Sequence, residues 1–150
     1  MIEKTILSNL IYNDDFTRKA LPFLDESYFS DIVIRKLYKL INEFHLNYNQ
    51  CPTKEALLVE LDDSSGLSDD QVDQAKQLVN EFEEPTEEIR EWVLDKTEKF
   101  CQEKAVYNAI MDSIQIMDGK TSQDKGAIPE LLSNALAVTF DNNIGHDFID

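Results

Sequence analysis

Apolar side chains recur along this chain every three or four residues, the spacing of one face of a helix, and no stretch sustains the one-by-one alternation of a half-buried strand. Ile6, Leu7, Leu10 and Ile11 form the first stripe, closed by Asn13-Asp14-Asp15, whose short polar side chains favour a turn or a new cap. A short second helix carries Phe16 and Ala20 to Leu21, where Pro22 breaks it. The connection from Phe23 to Phe29 holds three rings, Phe23, Tyr28 and Phe29, more than a solvated loop usually does, and is predicted to be a buried lid over the core. From Asp31 to about His45, Val33 or Ile34, Leu37, Leu40 or Ile41 and Phe44 mark a helix whose polar face takes Arg35, Lys36 and Lys39. After Pro52, Thr53 is placed to cap a helix buried through Ala56, Leu57, Leu58 and Leu61. Ser68 with Gln71 three residues on fits a capping box, followed by Val72, Ala75, Leu78 or Val79, and Phe82.

The longest periodic segment runs from Thr86 to about Asp118, with Ile89, Trp92 or Val93, Phe100, Tyr107, Ile110 or Met111, Ile114 and Met117 along one side. A helix of roughly 30 residues extends about 45 Å, longer than a small globule needs, so it is expected to project. The polar, glycine-bounded Gly119 to Gly126 can reverse the chain into a second helix over about Ile128 to Phe140, with Pro129 in its first turn and Leu131, Leu132, Ala135, Leu136 and Phe140 as the partner stripe. The expected architecture is all-α: a small helical head over 1–85, a projecting antiparallel hairpin over 86–140, and the start of a linker over 141–150. The two stripes are the candidate surfaces for hairpin packing and subunit contact.

Composition narrows the picture. With 150 residues and 42% hydrophobic content the chain can bury one good core. The 29% charged residues, a mean hydropathy of -0.39 and the lack of any apolar run near ~18 residues argue against a membrane span. The first residues, Met1-Ile2-Glu3-Lys4-Thr5, lack the basic-then-apolar layout of a secretory signal, which points to a cytosol. The formal net charge of -16 matters most. Such a surface repels phosphate, and the cations stand singly or in pairs among carboxylates, so little or no direct DNA binding is expected. A solvated acidic surface is the plain interpretation; a docking face for a basic protein is the functional one.

Candidate chemistry is sparse. Cys51 and Cys101 stand far apart, and His45 and His146 have no partners at ligand spacing, so neither a redox pair nor structural zinc is indicated. Gly119-Lys120-Thr121 ends like a phosphate-binding loop, but the position of that motif's first glycine is Ile114, inside a helix; the segment is a helix end and turn. Glu81, Glu83, Glu84, Glu87, Glu88 and Glu91 crowd the start of the long helix, where Glu87 and Glu88 favour the macrodipole and a basic partner is the functional alternative. Asp62, Asp63, Asp69, Asp70 and Asp73 lack the alternation of a calcium loop. No nucleophile, base and orienting group come together in the sequence, and Trp92, without neighbouring cations, suits packing better than base stacking. No catalytic, cofactor or metal residue is assigned.

With the helices placed, the chain resembles the amino-terminal domain of DnaB-type replicative helicases, in the shorter form of T-even-like phages. The resemblance is carried by Glu3-Lys4-Thr5-Ile6-Leu7-Ser8-Asn9-Leu10-Ile11, by Leu21-Pro22-Phe23-Leu24-Asp25-Glu26-Ser27-Tyr28-Phe29-Ser30-Asp31, by Arg35-Lys36-Leu37-Tyr38-Lys39-Leu40-Ile41 and by Cys51-Pro52-Thr53-Lys54-Glu55-Ala56-Leu57. Gly126-Ala127-Ile128-Pro129-Glu130-Leu131-Leu132, Ala135-Leu136, Phe140-Asp141 and Gly145-His146-Asp147 continue it. Ile34 before Arg35, where bacterial relatives often have histidine, and Ser8, where they often have glycine, point to the phage branch. The resemblance implies hairpins that pair between subunits into a collar on a hexameric ring, with primase and helicase loader as partners, in the cytoplasm of an infected host. It also implies a RecA-like motor that uses ATP or GTP with Mg; the sequence stops where a linker would lead to it and reads as a fragment without catalysis of its own. The rival reading, motivated by the charge, is an acidic DNA mimic that inhibits a basic DNA-binding enzyme.

Overall fold

In the computed structural model the described residues are 2–140; the expected linker over 141–150, with His146, lies outside them. Among the described residues seven helices follow one another: α1 (Ile2–Tyr12), α2 (Asp14–Ala20), α3 (Ile32–Tyr48), α4 (Lys54–Asp63), α5 (Asp69–Glu81), α6 (Glu87–Met117) and α7 (Ile128–Leu136). Single 3-10 turns cover Leu21–Phe23, Glu26–Tyr28 and Lys125–Ala127, and no strand occurs among the described residues. The class is all-α. The chain divides into two compact units, Met1–Thr97 and the part from Glu98 onward, with the boundary inside α6.

Local sequence sets the helix starts. Asn13 accepts a hydrogen bond from the Phe16 amide, Asp31 from the Val33 and Ile34 amides, Thr53 from the Ala56 amide, and Ser68 exchanges both bonds of a capping box with Gln71. Each side chain satisfies amides that the first helical turn leaves without an intrahelical partner. Asn49 ends α3 in the left-handed region at φ 54°, a conformation asparagine tolerates better than most residues.

In the first unit α3 is central, touching α1, α4 and α5, while α4 packs on α5 and α1 on α2. Ile6, Leu7, Leu10, Phe16, Phe29, Leu37, Ile41, Leu57, Leu61, Val79 and Phe82 are fully enclosed. Burial of this order is the main favourable term in folding, about 1.5–3 kcal/mol for each large side chain before entropy is subtracted.

The expected lid is present in a modified form. Two 3-10 turns replace a plain loop, and of its three rings only Phe29 is fully buried, with Phe23 and Tyr28 half-buried. The Tyr38 hydroxyl donates to the Leu24 carbonyl at 3.0 Å, and Arg35 donates from Nε to the Phe29 carbonyl at 2.8 Å. Arg35 therefore leaves the wholly solvated face on which periodicity puts it and ties down the lid.

A buried polar ladder joins α1 to α2. Asn13 Nδ2 donates to Asn9 Oδ1 at 3.2 Å, Asn9 Nδ2 to the Thr5 carbonyl at 2.9 Å, and the Thr17 hydroxyl lies 3.0 Å from both the Leu10 and the Asn13 carbonyls. Cys51 closes it, 3.2 Å from Asp14 Oδ1, and desolvation pushes its thiol up to about 11. Cys101 is buried and pushed up to about 12, first by desolvation and then by the Glu98 charge; both cysteines are free thiols. At the surface, the Lys4 ammonium on Glu81 holds that carboxyl below the usual range.

One buried polar group breaks the pattern. The Thr97 side chain is fully enclosed and its hydroxyl has no hydrogen-bond partner. Exchanging the hydroxyl for a methyl group of nearly the same shape removes that cost, so Thr97→Val is expected to stabilise by about 1 kcal/mol. An unchanged or lowered urea midpoint would show that the hydroxyl is in fact satisfied.

Candidate subunit interface

The second unit is built on the part of α6 from Glu98 to Met117. The helix ends in a Schellman-type closure, with the Lys120 amide on the Gln115 carbonyl, the Gly119 amide on the Ile116 carbonyl (both 3.0 Å), and Gly119 at φ +73°. A side chain at Gly119 would be strained in that conformation, which is why the Gly119-Lys120-Thr121 segment makes a helix end. Asp124 then orders the entry to α7 by accepting from the Gly126 amide at 2.8 Å.

The chain beyond α7 comes back to the start of the unit. The Glu98 carboxylate accepts from the Thr139 hydroxyl at 3.0 Å and from the Phe140 amide at 2.7 Å, and Gln102 Nε2 donates to the Val138 carbonyl at 2.8 Å. Residues 138–140 thus lie beside 98–102, and the chain reverses after Met117.

These bonds also identify which face of α6 is covered. At 3.6 residues per turn Glu98 and Gln102 share a face with Ala105, Ala109, Ser113 and Ile116. Ala109, Ser113 and Ile116 are buried, and Ser113 satisfies its hydroxyl on the Ala109 carbonyl at 2.7 Å. Along α7, Ile128, Leu131 and Leu132 are half-buried and Ala135 is buried.

The stripe singled out by periodicity occupies the other side. Tyr107 (61%), Ile110 (46%), Met111 (41%), Ile114 (45%) and Met117 (62%) are all exposed, in steps of three, one, three and three residues over about three turns. Leu136 on α7 is exposed as well. The remaining candidates divide: Val93, Phe100, Ala135 and Phe140 are buried, Leu131, Leu132 and Ile89 half-buried, and Trp92 exposed. The covered face escaped the periodic reading because alanine and serine carry little hydropathy signal. Small residues at steps of four were the available clue, since they let a second backbone approach closely.

Five large apolar side chains in a continuous row are more than scattered surface hydrophobics require explaining, and such rows mark contact surfaces. Nothing nearby offers chemistry: no group of three metal-ligating side chains exists among the described residues. None of the described helices is long and apolar enough to cross a membrane.

Comparison with known proteins gives this surface a context. Across 97% of its length the chain is 31% identical to the DnaB-like replicative helicase of Enterobacteria phage T4. The chain is homologous to a phage DnaB-like helicase. It spans 32% of that relative's length, about a third. No family model matches the chain. The helicase homology covers both units, so the exposed stripe and the hydrogen-bonded return of α7 lie within the matched region.

Proposed function

We propose that this chain is the amino-terminal, non-catalytic domain of a phage replicative DNA helicase and serves DNA replication by joining helicase subunits through the Tyr107 to Met117 stripe. The exposed row on α6, opposite that helix's buried face, carries the reading. A helix with one apolar face covered inside its own chain and a second left bare is suited to pairing with the same helix of another subunit. On this reading nucleotide and Mg chemistry belongs to a RecA-like motor elsewhere in the full-length helicase, and the six-membered ring is completed there. The acidic surface leaves DNA contact mainly to other parts of the ring, and primase or loader would be met by this domain as proteins.

The stripe is tested by sedimentation of the wild-type chain and of an Ile110→Asp, Ile114→Asp double variant. The wild type is expected to self-associate reversibly, and the variant to do so at least about thirty-fold more weakly at unchanged helicity, as loss of an interface anchor predicts. A wild type that stays monomeric at high concentration, together with a full-length double variant that still forms rings, would overturn pairing through this face.

A further inference from the structure

A second exposed apolar feature lies in the first unit, at the start of α6. Trp92 is the only tryptophan in the chain and 44% of it is exposed. With the half-buried Ile89 one turn earlier it lies in a shallow, open groove along one face of α6, lined also by Thr86, Glu88, Glu91 and Asp95. A bare indole is costly in water and is the side chain most often found at the energetic centre of protein contacts.

Charge decides what can cover it. From Glu83 to Lys96 there are six carboxylates and two cations, Arg90 and Lys96, and the Arg90 guanidinium is 3.3 Å from Glu84. Glu88, Glu91 and Asp95 rim the groove itself. Phosphate-bearing ligands are repelled by such a rim, and a second copy would set the same carboxylates against one another, a juxtaposition that costs several kcal/mol. Carboxylates around an indole instead suit a guanidinium or ammonium, which the ring face attracts directly and the rim attracts at longer range. We infer that the Ile89–Trp92 groove holds a basic polypeptide segment of a partner protein, with an arginine or lysine side chain laid on the Trp92 ring between Glu88, Glu91 and Asp95. The groove shares no residue with the Tyr107 to Met117 stripe, so the two assignments stand or fall separately.

The test uses the whole chain and two fluorescein-labelled amphipathic helical peptides, one of leucine, alanine and arginine, the other with glutamate for each arginine. Anisotropy measures affinity, and the emission of Trp92, having no other indole to mask it, reports occupancy of the groove. The arginine peptide is expected to bind saturably and shift Trp92 emission, and the glutamate peptide to do neither. Trp92→Ala should weaken binding about ten-fold, the size of a desolvated cation–π anchor. Neutralising the rim with Glu88→Gln, Glu91→Gln and Asp95→Asn should do at least as much. The control Asp63→Asn, Asp70→Asn and Asp73→Asn removes the same charge elsewhere and should cost less than about three-fold, as exposed charges away from a contact do. Equal losses in both triple variants would reduce the effect to net charge and overturn the groove. So would peptide binding that leaves Trp92 emission unmoved, or emission that changes with protein concentration alone, which would assign the face to a second copy.

Discussion

Ile116→Asp is expected to unfold the second unit, whereas Ile114→Asp, two residues away on the same helix, is expected to leave it folded. Ile116 is 4% exposed on the buried face of α6, and Ile114 is 45% exposed on the opposite side. An aspartate at 116 must either carry its charge into an apolar contact or take up a proton there. Both are costly without a partner, and such substitutions fall in the tail of more than about 4 kcal/mol. A unit this small has little stability to spare. The carboxylate at 114 points into water and should shift stability by no more than about 0.5–1 kcal/mol, while acting on self-association. Limited proteolysis resolves the two: Ile116→Asp should open cleavage sites between 98 and 140 that Ile114→Asp and the wild type protect. Similar protection of both variants would mean that the face fixed by Glu98 and Gln102 has been misplaced on the helix.

That contrast also shows where a sequence can be read and where it cannot. The helix starts at Thr53 and Ser68 and the turn at Gly119 were legible because a cap or a left-handed residue acts over three or four positions of one chain. The all-α class followed from periodicity alone. The register of the long helix was a different problem, since periodicity says which residues share a face and not which face meets a neighbour. Tyr107, Ile110, Ile114 and Met117 carry the visible stripe of large side chains, yet Ala109, Ser113 and Ile116 are enclosed. The function was carried by order and spacing over nearly the whole chain. No cluster of residues had a chemical meaning of its own from which it could be derived. At Trp92 the case is the reverse: Glu88, Glu91, Trp92 and Asp95 share one face of α6 by helical spacing, and what the sequence left open is that the indole stays exposed there.

The lid was half legible, and Phe29 is where its energy should be concentrated. Phe29→Ala is expected to destabilise the first unit by about 3–5 kcal/mol, the range for deleting a buried phenyl ring from a packed site. The ring is fully enclosed and lies 5.1 Å from that of Tyr38, tilted by 31°. Its backbone carbonyl is held by Arg35 and the neighbouring Leu24 carbonyl by the Tyr38 hydroxyl, so the lid is pinned on both sides of the cavity that alanine would leave and cannot collapse into it. Phe23→Ala, which removes a half-buried ring from the same connection, should cost clearly less. Tyr38→Phe tests the pinning: it keeps the ring contact, removes the bond to Leu24 and should cost about 1–2 kcal/mol. In a Phe29→Ala background that second loss should shrink, because a lid already loosened gains less from the bond. Urea unfolding followed by Trp92 emission reads all four proteins from within the same unit. Costs that add without coupling, or a Phe29→Ala midpoint no lower than that of Phe23→Ala, would show that the connection rests on the core without holding it closed.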